Sequence, residues 1–143
     1  MEIGDVGAEE YRRAAELWEA SVRATHDFVT EADLEVFRPL VRSAFGGIPH
    51  LAGLRADDGT LIGFIGVAEG NVEMLFLDPA YRGQGGGTLL LDHARAEFAA
   101  EKVDVNEQNP QAVGFYEHYG FKLVGRSERD STNKPYPILH MTL

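Results

Sequence analysis

Residues 75–88 read Leu-Phe-Leu-Asp-Pro-Ala-Tyr-Arg-Gly-Gln-Gly-Gly-Gly-Thr: an apolar run ends at Asp78-Pro79, and four glycines follow within residues 83–87. Leu89, Leu90, His93, Ala94 and Phe98 then recur at helical spacing. A strand, a glycine loop and a helix start, in that order, make an anion site. The first N–H groups of a helix have no partner within it, and the helix dipole adds partial positive charge there. Glycines let a ligand come close to the backbone, with no Cβ in the way. Phosphate or pyrophosphate is the ligand such a site takes.

Two common phosphate motifs do not fit. No Gly-Lys-Ser/Thr occurs, so the loop is not that of a nucleotide hydrolase. The dinucleotide fingerprint needs a short strand-to-helix turn in a parallel sheet, with an acidic residue about 20 positions on. The five histidines, at 26, 50, 93, 118 and 140, show no metal-ligand spacing, and cysteine is absent. No metal site, disulfide or cysteine nucleophile is expected.

The elements around the loop follow from periodicity. Residues 2–4 read as a short strand. Tyr11, Ala14, Ala15, Trp18 and Val22 form the apolar face of a helix over residues 8–24. Thr30 with Asp33 resembles a capping box that opens a second helix. Leu34, Phe37, Leu40, Val41 and Phe45 are its stripe, Pro39 ends, kinks or restarts it, and Gly46-Gly47 stops it. Residues 51–56, 61–68 and 72–77 are strands joined by turns at 57–60 and at Gly70-Asn71, hence antiparallel neighbours. After the helix at about 86–100 come a strand at 103–106 and a helix that Asn109 caps and Pro110 begins. Strands at 121–128 and 136–143 complete the chain. The order is β-α-α-β-β-β-α-β-α-β-β, a mixed α/β (α+β) sheet protein, with residues 1–143 as one domain.

The chain is 44% hydrophobic, with 23 acidic and 13 basic residues giving a net charge of −10. Nucleic acid, which needs a basic face, is not an expected partner. No stretch approaches the ~20 apolar residues of a membrane span. The N-terminus does not read as a signal peptide, so a cytoplasmic protein without membrane partners is expected. The acidic surface favours a cationic substrate such as an amine, or serves only solubility.

Two motifs carry a resemblance. Arg82-x-x-Gly85-x-Gly87 after Leu-x-Leu-x-Pro resembles the acyl-CoA pyrophosphate loop of the GNAT superfamily of N-acetyltransferases. Asn109-Pro110-Gln111-Ala112-Val113-Gly114-Phe115-Tyr116-Glu117-His118-Tyr119-Gly120-Phe121 is similar to its N-x-x-A-x-x-F/L-Y-x-x-x-G-F. The element order matches from end to end. Residues 18–28 and the ending Pro135-Tyr136-Pro137-Ile138-Leu139-His140-Met141 further resemble the small bacterial YjaB-like branch, whose acceptor is ill defined.

The resemblance implies a GNAT fold, in which the fourth and fifth strands splay after a bulge near residues 73–76. It implies acetyl-CoA as co-substrate and an amine as acceptor: a protein lysine, or a small molecule. The pantetheine arm would pair with the backbone of Leu75, Phe76 and Leu77. Arg82, Gly83, Gln84, Gly85, Gly86, Gly87 and Thr88 would cradle the pyrophosphate, and Asn109 would bond the arm or simply cap its helix. Tyr116 would protonate the leaving sulfur, with Tyr119 the weaker alternative. For the base, Glu73, Glu69 and a water chain stay open. His26 and Phe28 would lie on the acceptor side. The resemblance leaves monomer and homodimer open, dimers being common among such relatives. A GNAT-fold module that binds acyl-CoA without turnover is the alternative.

Overall fold

The computed structural model describes residues 1–25 and 29–143. Seven strands form one sheet: β1 (Glu2–Asp5), β2 (His50–Arg55), β3 (Leu61–Ala68), β4 (Asn71–Leu77), β5 (Lys102–Asn106), β6 (Lys122–Ser127) and β7 (Ile138–Thr142). Their spatial order is β1-β2-β3-β4-β5-β7-β6. Four helices accompany them: α1 (Tyr11–Thr25), α2 (Glu31–Gly47), α3 (Gly86–Phe98) and α4 (Pro110–Tyr119). The element order is the expected one, and the sheet is mixed, because β4 and β5 run parallel while the other neighbours are antiparallel.

The sheet divides two cores. Leu90, Leu91 and Ala94 of α3 and Tyr116 of α4 pack with Ile62, Ile65, Val72 and Val103 on one side. Ala14, Leu17, Trp18 and Val22 of α1 and Leu34 and Phe45 of α2 pack with Leu61 and Phe64 on the other. β3, at the centre, is buried at seven of its eight positions. That is why it carries a near-continuous apolar run instead of an alternating one.

Several boundaries differ from expectation. Ala8–Glu10 is a short 3₁₀ turn, and α1 starts only at Tyr11. The buried face of α1 includes Leu17 and Ser21. Pro39 neither ends nor restarts α2, which runs through it. An internal proline costs about 3 kcal/mol. Burial of Leu34 before it and Phe45 after it returns roughly 1.5–3 kcal/mol each. The expected cap is present: the Thr30 hydroxyl accepts from the Asp33 N–H at 3.1 Å. The β3–β4 turn sits one residue earlier than expected. It uses Glu69 (φ 51°) and Gly70 (φ 77°), the two positive values of a tight hairpin turn. β7 begins at Ile138 because Pro135 and Pro137 have no N–H to give to a ladder.

One irregularity creates the site. In the β3–β4 ladder Gly66 faces Met74 while Val67 faces Val72, so Glu73 is an extra, bulged residue. The bulge changes the parity of the strand. Val72 packs in the core beneath α3, as do Leu75 and Leu77 beyond it. Met74 and Phe76 turn to the α1–α2 side. β4 pairs with β5 only at Asn71–Lys102 and Val72–Val103. From Glu73 to Leu77 no strand lies on the β5 side of β4, and a slot opens through the sheet.

Candidate active site

The slot is a cleft of about 180 Å³ lined by Ser21 of α1, Leu75, Phe76 and Leu77 of β4, Arg82, Gly87 of α3, and Asn109, Gln111, Ala112, Phe115 and Tyr116 at α4. It is narrower than the ~300–1,000 Å³ of drug-sized pockets and suits a slender chain. Its β4 wall offers backbone N–H and C=O groups that no neighbouring strand takes.

The glycine loop continues the slot. Asp78 starts it, its carboxylate accepting from the Ala80 N–H at 2.9 Å. Gly83 and Gly85 take φ of 75° and 85°, and a Cβ on either would meet nothing within 4 Å. Their role is conformational, and the space above them is open. Gly86 and Gly87 have a different role. A Cβ on Gly86 would come within 2.9 Å of Leu54 and 3.0 Å of Leu77, and one on Gly87 within 3.3 Å of the Phe115 ring. These two let α3 start hard against the sheet and α4. Gly85 is the N-cap of α3, and no side chain caps the helix there. The first amides of α3 therefore face the open loop without a protein side-chain partner. Gln84 and Thr88 are exposed beside them. Arg82 donates from Nη1 to Gln111 Oε1 at 3.1 Å, which ties the loop to α4 at the cleft wall.

Tyr116 is buried and braced edge-on by Phe115 (5.2 Å) and Phe121 (5.4 Å). Burial pushes its phenol well above the ordinary value of 10.0, so it is held protonated. Among the described residues nothing hydrogen-bonds its hydroxyl, and no buried polar side-chain atom is left unsatisfied. Its oxygen thus opens to the cleft. Asn109, also buried, accepts from the Ala112 N–H at 3.2 Å and caps α4 while lining the cleft. Tyr119 points elsewhere: its hydroxyl donates to Asp92 at 2.5 Å, and Arg95 lies over its ring at 5.6 Å.

The structure brings Leu75, Phe76, Leu77, Arg82, Gly87, Asn109 and Tyr116 together. It does not bring Glu73 there. Glu73 is exposed at the bulge and lines a separate polar cleft with Glu69, Asn71, Lys102, Asp104 and His140. There His140 is held between Asp104 (Nδ1 to Oδ1, 2.5 Å) and Ser127 (Nε2 to Oγ, 2.7 Å). His26 and Phe28 lie outside the described residues. Sequence reasoning missed Ser21, Gln111, Ala112 and Phe115. Ala112, Phe115 and Tyr116 are spaced i, i+3, i+4, so the shared face of α4 was readable. The one signal for Ser21 was its place as a polar residue on the apolar face that carries Trp18 and Val22. No group of three or more His, Asp or Glu able to hold a metal occurs among the described residues. Nor is any helix there long and apolar enough to cross a membrane.

A slot between parallel strands, an uncapped glycine helix start and a phenol at the junction define an acyltransferase fold. The profile of the acetyltransferase (GNAT) domain matches residues 47–141, and the chain belongs to that family. It is 40% identical to the peptidyl-lysine N-acetyltransferase YjaB of Salmonella typhimurium over 93% of this chain and 91% of that one. The solution structure of apo YjaB from Escherichia coli superposes with a TM-score of 0.90, covering 99% of this chain and 95% of that one at 39% identity. The PaiA N-acetyltransferase of Thermoplasma acidophilum, solved with coenzyme A, shares the fold at a TM-score of 0.72 and 24% identity, covering 99% of this chain and 98% of that one.

Proposed function

We propose that residues 1–143 form one catalytic domain that transfers the acetyl group of acetyl-CoA to a primary amine, most directly a lysine of a protein. The observation that carries this reading is the unpartnered Tyr116 hydroxyl opening onto the slot where β4 has no neighbour. The name of the relatives, peptidyl-lysine N-acetyltransferase, supports lysine as the acceptor.

The residues fit the co-substrate. The backbone of Leu75, Phe76 and Leu77 binds the pantetheine arm as a strand would, and Asn109 receives it at the α4 end. The amides of residues 83–88 and Arg82 hold the pyrophosphate. Acetyl-CoA supplies the thioester. Tyr116 gives its proton to the sulfur as the thiolate leaves and recovers one from water, and its high proton affinity keeps it protonated between turnovers. Over the whole reaction the amine nitrogen loses a proton and the sulfur gains one. A free lysine amine, with pKa ~10.4, is about one part in a thousand neutral at pH 7.4. Among the described residues no carboxylate or histidine lines the slot. The amine's proton therefore leaves through water, and Glu73, which lines a separate cleft, does not take it directly.

That same absence favours a second reading, an acyl-CoA-binding module without turnover. Thiol release from acetyl-CoA with lysine peptides separates the two. Turnover is expected, and Tyr116→Phe should lower kcat roughly 100-fold while changing the acetyl-CoA KM less than about threefold. Coenzyme A binding with no turnover on any amine supports the second reading. An unchanged kcat in Tyr116→Phe removes the phenol from the reaction.

A further inference from the structure

A larger groove adjoins the slot. It measures about 540 Å³ and shares Phe76 with the slot as a common wall. One side is apolar: Trp18, Val22, Phe37 and Val41 of α1 and α2, with Met74 of β4. The other is the β6–β7 loop, which contributes Asp130, Ser131, Thr132 and Tyr136. That loop is clasped to α2. Tyr136 donates its hydroxyl to Asp33, Lys134 Nζ lies 3.2 Å from Asp33, and the Phe37 and Tyr136 rings are 6.5 Å apart.

Within this loop the two oxygens of Asp130 differ. Oδ1 accepts from the Thr132 N–H (2.9 Å), the Thr132 hydroxyl (2.6 Å) and the Lys134 N–H (3.0 Å), and so folds the loop. Oδ2 accepts nothing among the described residues, and no cation pairs with Asp130 there. The nearby cations are committed: Lys134 to Asp33, and Arg129 to the Asn133 carbonyl at 3.1 Å. A carboxylate with an idle oxygen, on the wall of a groove that is otherwise apolar opposite it, is complementary to a positive charge on an aliphatic stem. The apolar surface also runs out of the groove. Leu40 on its rim is 49% exposed, and Val36, one turn earlier on α2, is 44% exposed. This footprint exceeds a small amine and fits a polypeptide.

We propose that this groove takes a basic segment of a protein, with the reacting lysine directed past Phe76 toward Tyr116 and a second Lys or Arg of the segment seated on Asp130. The inference rests on the lysine-acetyltransferase reading and adds a sequence preference to it. The net charge of −10 acts in the same direction at longer range.

Asp130→Asn tests it, because an asparagine Oδ1 still accepts the three loop hydrogen bonds while the charge is gone. Calorimetry measures binding, with and without coenzyme A, of two peptides alike except that an Arg beside the lysine is replaced by Gln. The wild type should bind the Arg peptide roughly 10-fold tighter, and Asp130→Asn should bind the two about equally. Equal preference in both proteins overturns the assignment, as does an Asp130-dependent preference for free spermidine over either peptide. The readout is binding, so it stands apart from turnover. A wild type that binds the Arg peptide through Asp130 yet releases no thiol leaves this site in place and removes the catalytic reading instead.

Discussion

The Asp33–Tyr136 contact joins the β6–β7 loop to α2 through one carboxylate and one phenol, whose proton affinities shift in opposite directions. The Tyr136 hydrogen bond, with the Lys134 ammonium, lowers the Asp33 carboxyl below its ordinary 3.8. Burial, and then Asp33 itself, pushes the Tyr136 phenol up to about 12 from 10.0. A depressed acid contributes stability that is complete above 3.8 and is lost as pH falls through its folded value. A raised phenol contributes stability that is complete below 10 and is lost as pH climbs through about 12. The clasp should therefore hold between about pH 4 and pH 10. Urea unfolding of the wild type and Tyr136→Phe across pH 3–11 checks this. The stability difference should be widest in that window and shrink at both ends. A pH-independent difference would mean that the phenol does not bond the carboxylate.

At the scale of elements, the site exists because β4 carries one residue too many. The expected bulge region included Glu73, yet the bulge's main consequence was not legible. A period-two pattern cannot show that Val72 shares a face with Leu75 and Leu77, because the parity shift is set by pairing with β3. The direction of Glu73 was hidden for the same reason. By contrast the glycine loop and α4 were readable, since Asn109-Pro110 and the four glycines act through local backbone geometry. The continuity of α2 through Pro39 was not, because its compensation lies in tertiary packing. The four glycines also divide by element. Gly86 holds α3 against β2 and β4, so Gly86→Ala should force Leu54 and Leu77 apart and cost about 1–3 kcal/mol by urea midpoint. A stability equal to the wild type would show that α3 can withdraw without loss.

For the molecule as a whole, two cores on opposite sides of one sheet leave a slot that passes between them. Groups from α1, β4, α3 and α4 meet there, which is why motifs separated by more than 20 residues had to agree before the site could be read. A net charge of −10 opposes a polyanion such as coenzyme A, and in the proposed reading local donors at the loop offset it. Amide hydrogen exchange with and without coenzyme A tests this most directly. Slower exchange at residues 83–88 and along 74–77, with the Glu73–His140 cleft unchanged, is the predicted result. Protection confined to other parts of the sheet, or none at the glycine loop, would contradict it.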